Sequence, residues 1–195
     1  AVIGQIRCRP AHIMASSDSD YDSDSDSISS EAQAICDAVR AFDVEALRRC
    51  LAAGVDPDVL GANGTSPLYV LVRFRAAGRP AERIQERLEC ISVLLEAGAS
   101  VNLMAGEIVP AGPLFWAVET SSPSFEPVIE LLIESGADVN ETVSWASRVN
   151  TVIANAAIHG TAATVKQLIS AGAVGLDRAL RTAIFYGKPR NCTPL

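Results

Sequence analysis

The segment VIELLIESGADVN, residues 128–140, has apolar residues at helical spacing and ends in a turn that contains glycine. Gly136 stands where a chain leaves a helix through a left-handed conformation, which costs a residue with a Cβ about 1 to 2 kcal/mol. Three other segments share this skeleton, with a glycine at the same place: ALRRCLAAGVDPD (46–58), CISVLLEAGASVN (90–102) and TVKQLISAGA (164–173). The chain therefore contains an internal repeat whose unit includes one amphipathic helix.

A second, shorter helix pattern precedes the last three of these glycines. It reads GTSPLYVLV (64–72), GPLFWAV (112–118) and TVIANAAIHG (151–160). The two-helix unit resembles the ankyrin repeat, which has the skeleton G-x-T-P-L-H-x-A-A-x-x-G followed by V-V-x-L-L-L-x-x-G-A-D-V-N. The resemblance implies an all-α ankyrin-repeat solenoid of four to five helix-turn-helix units with short hairpin fingers, a finger being the segment between two repeats.

The spacing of the glycines tests this resemblance, because the family repeats about every 33 residues. Gly54 to Gly98 is 44 residues, Gly98 to Gly136 is 38, and Gly136 to Gly172 is 36. We predict that the 11 extra residues of the first interval lie between Val72 and Cys90, and that the smaller excesses lie in loops and fingers. The helices should then keep equal lengths.

The resemblance covers about residues 34 to 187 of a domain that we place at 32–195. It predicts a helix pair at 34–53, repeats at 62–102, 108–140 and 147–173, and a terminal helix at 176–187. One departure concerns the histidine that follows T-P-L in the family, which is replaced here by Tyr69, Phe115, Ala154 and Arg181. The hydrogen bonds that this histidine makes between repeats in the family are absent, so we expect packing to couple the repeats.

The N-terminal part has a different composition. Residues 16–31 read SSDSDYDSDSDSISSE, with six acidic residues, no basic residue and almost nothing to bury. We predict that residues 1–31 form a disordered acidic tail, with Met14 as an alternative start to Ala1. Three of its serines, each with an acidic residue three positions later, are candidate phosphorylation sites: Ser17, Ser19 and Ser23. The run Asp24–Ser29 also resembles the phosphodegron of inhibitors of NF-kappa-B, although Asp26 replaces its glycine.

Composition disfavours several classes of function. The net charge is −7, but residues 32–195 carry 17 acidic and 14 basic residues without a concentrated basic face, so we predict no nucleic-acid partner. The longest uncharged run, 149–165, contains Asn, Thr, Gly and His, so we predict no membrane span.

Five cysteines without a C-x-x-C pair, beside two histidines, indicate neither a disulfide framework nor a metal site. They favour a reducing compartment, the cytoplasm or the nucleus.

The sequence contains no catalytic motif. It lacks G-x-S-x-G and H-E-x-x-H, and the glycine-containing loop 61–66 lacks the lysine that would reach a phosphate. We therefore expect no enzyme activity and no cofactor.

The ankyrin resemblance implies a protein-binding surface made by the finger tips and the exposed face of each first helix. Arginine and aromatic residues dominate binding energies at such surfaces. The candidate contact residues are Arg73, Phe74, Glu119, Trp145, Arg148, Ile158, His159, Phe185 and Tyr186. The alternative for Phe74, Phe185 and Tyr186 is that they cover neighbouring helices. Asn140 resembles the asparagine that an oxygen-dependent hydroxylase modifies in this family.

The arginine-rich insertion 73–89 has two interpretations. It is either a solvated extension of a helix or a basic docking patch for an acidic partner, including the acidic tail of the chain itself.

The predicted function is a protein-interaction module, a scaffold or adaptor, that acts as a monomer. One alternative is an inhibitor-like regulatory subunit controlled by phosphorylation of its tail. The other is a targeting segment of a larger enzyme.

Overall fold

A computed structural model describes residues 30–61, 64–73, 83–106, 109–120, 123–145 and 148–185, with the side chains of 145, 148 and 149 excepted. The described helices are α1 (Ser30–Ala41), α2 (Val44–Ala52), α3 (Pro67–Arg73), α4 (Ile84–Glu96), α5 (Pro113–Glu119), α6 (Glu126–Glu134), α7 (Val152–His159), α8 (Ala162–Ser170) and α9 (Leu176–Phe185). A short 3-10 turn, Pro123–Phe125, precedes α6. Strands β1 (Thr142–Trp145) and β2 (Arg148–Thr151) form an antiparallel hairpin in which Thr142 pairs with Thr151.

The helices pack as successive pairs in two layers. In one layer α1, α3, α5, α7 and α9 each contact the next, and in the other α2, α4, α6 and α8 do the same. Each odd-numbered helix up to α7 also packs against the even-numbered helix that follows it. Because the described residues are mostly helical, with strands confined to one hairpin, they agree with the predicted all-α class.

The core between the layers is built from aliphatic side chains, as the composition suggests. Leu71, Leu94, Leu132 and Ile153 are fully buried and come from four different helices. Three helices begin with a polar side chain that accepts a backbone N–H two or three residues into the helix: Asp43 for α2, Thr151 for α7 and Thr161 for α8. The helix starts that the capping side chains favour therefore agree with the pattern of buried residues.

The glycines of the repeat have the predicted conformation. Gly54, Gly98, Gly136 and Gly172 have φ angles of +90°, +94°, +88° and +90°. Each glycine amide donates to a helix carbonyl three residues earlier, so the turn closes the helix end. The prediction drawn from these four positions is confirmed.

The prediction that helix lengths stay equal is wrong. Helix α4 has 13 residues, whereas α2, α6 and α8 each have nine. The second half of the predicted loop insertion forms the first turns of α4, because Ile84 and Leu88 pack against the core one helical turn apart.

At the N-terminus α1 begins at Ser30, inside the segment assigned to the tail and four residues before the predicted helix pair. Glu31 in the first turn and buried Ala32 account for this earlier start.

The arginine-rich insertion does extend α4 as a helix from Ile84, but one of its arginines, Arg87, is not solvated. Its residue is 1% exposed, so it neither extends a solvated helix face nor offers a docking site. Its guanidinium donates a hydrogen bond to the carbonyl oxygen of Leu71 and lies between the rings of Phe42 and Phe125, at 4.9 and 5.0 Å. Burial lowers the pKa of Arg87 to about 10, so the side chain remains a cation at neutral pH.

Hydrogen bonds from side chains connect successive fingers. The side chain of Asn102 donates to the carbonyl oxygen of Gly136 at 3.1 Å and accepts the N–H of Asp138 at 2.8 Å. One repeat later, Asn140 makes the same two contacts with Gly172 and Val174, at 3.3 and 2.9 Å. These bonds join the repeats of a chain that lacks the family's histidine. The coupling between repeats therefore includes these hydrogen bonds beside the packing that the sequence predicts.

Candidate functional site

Four of the predicted contact residues lie at the ends of helices of one layer. Arg73, Glu119, His159 and Phe185 are the last residues of α3, α5, α7 and α9, which contact one another in sequence. We call these four residues the terminal row. All four are exposed, and Phe185 is 79% exposed. Arg73 and Glu119 stand at the same place in their repeats, whereas the counterpart of both in α7 is half-buried Ile158, one residue before His159.

Arg73 and Glu119 are the predicted residues that the structure brings into contact. The Nη1 atom of Arg73 lies 3.4 Å from Oε2 of Glu119, and the side chains are 46% and 40% exposed. The guanidinium carbon of Arg73 also lies 4.0 Å from the ring centre of Trp116, in cation–π geometry. A solvent-exposed cation is thus held against a buried aromatic ring.

Trp116 is fixed by an aromatic cluster. Its ring meets Tyr69 edge-on at 5.9 Å and Phe115 at 5.7 Å, and the residue is 7% exposed. Its indole Nε1 is buried and makes no hydrogen bond within the described part of the chain. Burial raises the pKa of Tyr69, with nearby Arg73 acting against that shift, so the phenol stays protonated at neutral pH.

Sequence reasoning missed Tyr69 and Trp116 as parts of this site. Trp116 lies in the core, and its ring also contacts the guanidinium of Arg73. The available signal was the spacing of Tyr69 and Arg73, which are four residues apart and share a helix face. The pairing of Arg73 with residues of α5 needed the packing of α3 on α5.

The remaining predicted residues do not join this cluster in the described part of the chain. Ile158 is half-buried on α7 next to exposed His159. The backbones of Trp145 and Arg148 pair directly in the hairpin, but their side chains lie outside the described residues. Also outside the described residues are Phe74, Tyr186, Ser17, Ser19 and Ser23.

The side chain of Asn140 already uses both amide atoms in its contacts with the next finger. Its candidate role as a modification site stays a prediction.

The described residues offer little reactive chemistry. Across the described ranges, no three His, Cys, Asp or Glu side chains are grouped as they would be to bind a metal ion. Cys36 and Cys90 are buried thiols, and burial raises the pKa of both, to about 11 for Cys90, so they are protonated at neutral pH. No helix in the described residues has the length and apolar character needed to cross a membrane.

Glu141 places a carboxyl group in a partly buried contact between a finger and a helix start. Its Oε1 accepts the N–H of Gly112, the residue before α5, at 2.6 Å. A Cβ added at Gly112 would lie 2.6 Å from the Oε2 atom of Glu141, so the glycine is needed for this approach. Burial raises the pKa of Glu141 above 4.5, the hydrogen bond from Gly112 lowers it less, and Asp138 adds to the rise.

This raised pKa predicts a pH dependence of stability. The folded chain binds a proton at Glu141 more tightly than the unfolded chain does, so the stabilisation is complete below pH 4.5 and is lost as pH rises through the higher folded pKa. A Glu141→Gln variant keeps an acceptor for Gly112 without the charge. We expect its unfolding free energy, measured in urea from pH 4 to pH 8, to increase relative to wild type as pH rises. A difference that is constant, or that changes in the opposite direction, would contradict this assignment.

No protein-family model matches the chain. Over 74 residues the chain is 36% identical to a human protein named Ankyrin repeat and SOCS box protein 16. The matched segment covers 38% of this chain and 14% of the human protein, so the chain spans a small part of that relative. This similarity suggests ankyrin repeats, the repeat that the sequence motifs resemble.

Proposed function

We propose that this chain is an ankyrin-repeat solenoid that binds another protein through the terminal row and has no catalytic activity. The support for the solenoid comes from three sources: the G-A-D-V-N motifs, the stacking of successive helix pairs, and the similarity over 74 residues to a protein named for ankyrin repeats. A stack of repeats presents an extended surface made of equivalent positions, and such surfaces suit the recognition of other proteins.

The observation that carries this proposal is the exposed arrangement of Arg73 and Glu119 above Trp116. Arginine backed by an aromatic ring is a typical energetic centre of a protein interface, because the ring limits the motion of the guanidinium while its N–H groups remain accessible. Phe185 adds a large exposed apolar group at the end of the same series of helices. An exposed arginine pair and an exposed phenylalanine together give polar and apolar contacts for a partner.

The proposal includes a monomeric chain in the cytoplasm or the nucleus. Cys36, Cys50 and Cys90 are free thiols in the described residues, which suits a reducing compartment.

Affinity capture from cell lysate, followed by mass spectrometry, tests this function. The bait is the full chain, compared with a variant that carries Arg73→Ala and Phe185→Ala. Arg48→Ala is the matched control, because Arg48 is an exposed arginine on α2, in the other layer. We expect at least one protein to be captured by wild type and by the control but not by the double variant, whose fold is checked by circular dichroism. Capture of the same proteins by all three baits, or of none by any bait, would contradict the proposal.

A further inference from the structure

We propose that Arg73 is a receptor for a carboxylate of the partner, and that Glu119 is a resident competitor which occupies this receptor until an acidic segment of the partner displaces it. The inference rests on the proposed function and specifies the chemistry of its partner, a polypeptide segment with an aspartate or glutamate side chain.

The first step is the preorganisation of Arg73. One face of its guanidinium lies 4.0 Å above the ring of Trp116, and that ring is held by Tyr69 and Phe115 at nearly perpendicular angles. A long arginine side chain normally loses much rotational freedom when it binds a ligand. Here the stacking contact has already restricted the side chain, so binding costs less conformational entropy.

The second step is the kind of ligand that the exposed edge of the guanidinium selects. With its face against Trp116, Arg73 presents N–H groups at its rim, and the side chain remains 46% exposed. The planar arrangement of these donors matches the two oxygens of a carboxylate, which accept two parallel hydrogen bonds. A partner carboxylate is therefore a better match than a neutral or a cationic group.

The third step is the weakness of the contact that Arg73 makes now. Among the described residues, the carboxylate that contacts Arg73 is that of Glu119, and its hydrogen bond uses a single oxygen at 3.4 Å. That length lies beyond the usual range for a charged pair, and both groups are accessible to water, so the contact contributes little. A partner carboxylate that uses both oxygens would displace Glu119.

The fourth step is that displacement of Glu119 leaves no buried charge. Its side chain is 40% exposed and lies at the end of α5, so water solvates the carboxylate once the pair is broken. The stacking of Arg73 on Trp116 does not depend on Glu119. The exchange of one carboxylate for another therefore keeps the receptor intact, and Glu119 lowers the apparent affinity of each ligand by a small factor.

The charges around Arg73 favour a peptide carboxylate over a polyanion. The ion pair described at Arg73 contains one cation and one anion, and the whole chain has a net charge of −7. This net charge repels a nucleic acid or a highly phosphorylated surface more strongly than a peptide that carries a single carboxylate. The half-buried phenol of Tyr69 interacts with the guanidinium of Arg73 as well.

The test uses the full chain and a random peptide library displayed on phage. Peptides enriched on wild type are synthesised with a fluorescent label, and their affinities are measured by fluorescence anisotropy for wild type, Arg73→Gln, Arg73→Lys, Glu119→Gln and the control Arg48→Gln. We expect the enriched peptides to share an aspartate or glutamate at one position. Arg73→Gln should weaken binding about tenfold or more, and Arg73→Lys should not restore it fully, because lysine lacks the planar pair of donors.

The Glu119→Gln variant separates a competitor from a residue that positions Arg73. We expect this variant to bind the peptides about two- to fivefold more tightly, since the glutamine amide does not compete for the guanidinium as a carboxylate does. Weaker binding by Glu119→Gln, equal binding by Arg73→Gln and wild type, enriched peptides without a shared acidic position, or no enrichment would each overturn the inference. If Arg73→Gln retains the captured cellular partner and Phe185→Ala loses it, the proposed function stands and the carboxylate receptor fails.

Discussion

Replacement of Arg87 by alanine is expected to lower the free energy of unfolding by about 3 kcal/mol. The truncation leaves a cavity between Phe42 and Phe125, and it removes the donor that the carbonyl oxygen of Leu71 uses at the end of α3. These groups belong to the first, second and third helix pairs, so one side chain connects three successive units. Urea unfolding followed by circular dichroism measures the loss.

Two control variants separate the contributions of Arg87. Arg87→Met fills much of the same space without the charge, and we expect it to recover most of the loss, because a buried charge is costly to desolvate. Arg83→Met is the matched surface control. Arg83 is exposed, lies 5.0 Å from the ring centre of Phe42, donates to the carbonyl oxygen of Ala41 at 2.9 Å and pairs with Glu86 at 3.7 Å. Because these contacts are exposed, its replacement should cost about 1 kcal/mol or less. An Arg87→Ala variant as stable as wild type would contradict the structural role.

Arg87 also explains the conformation of Phe42. This residue has a φ angle of +54°, the left-handed region that a side chain with a Cβ adopts at a cost of about 1 to 2 kcal/mol. Its ring is 4% exposed, and the guanidinium carbons of Arg83 and Arg87 lie 5.0 and 4.9 Å from the ring centre. The burial of the ring and the two cation–π contacts offset the strain, so the turn between α1 and α2 is held by a residue of α4.

The sequence predicts the periodic features of this fold better than the features that differ between repeats. The four helix-terminating glycines were identified because each has the same conformational need in every unit. The extra turns of α4 belong to the insertion that the sequence predicts as a solvated helix extension or a docking patch, and neither interpretation predicts a buried arginine, because charged residues usually lie at the surface. Whether an arginine is buried depends on Phe42 and Phe125, which are distant in the chain.

The candidate site shows the same limit. The resemblance to ankyrin repeats selects positions at the ends of the first helices as contact positions, and that role stays a prediction. It does not predict that Arg73 stacks on Trp116, because that contact depends on which residues occupy two neighbouring units. The contacts of Asn102 and Asn140 were also missed, since their partners are backbone atoms that carry no sequence signal.

Replacement of Asn102 by aspartate is expected to lower the free energy of unfolding by about 1 to 2 kcal/mol. The carboxylate still accepts the N–H of Asp138, but it has no donor for the carbonyl oxygen of Gly136. A carboxylate oxygen and that carbonyl oxygen then repel each other. Since the bond joins neighbouring repeats, its loss weakens an interface rather than one helix, and urea unfolding should become less cooperative as well as easier.

Asp58 provides the reciprocal variant for this prediction. It occupies the position of Asn102 one repeat earlier, and its two carboxylate oxygens accept the N–H of Ser100 at 3.0 Å. By the equivalence of the repeats, an asparagine there would also donate to the carbonyl oxygen of Gly98, as Asn102 does to Gly136. We expect Asp58→Asn to raise the free energy of unfolding by up to about 1 kcal/mol, while Asn102→Asp lowers it. If both substitutions change stability in the same direction, the donor to the glycine carbonyl is not what couples the fingers.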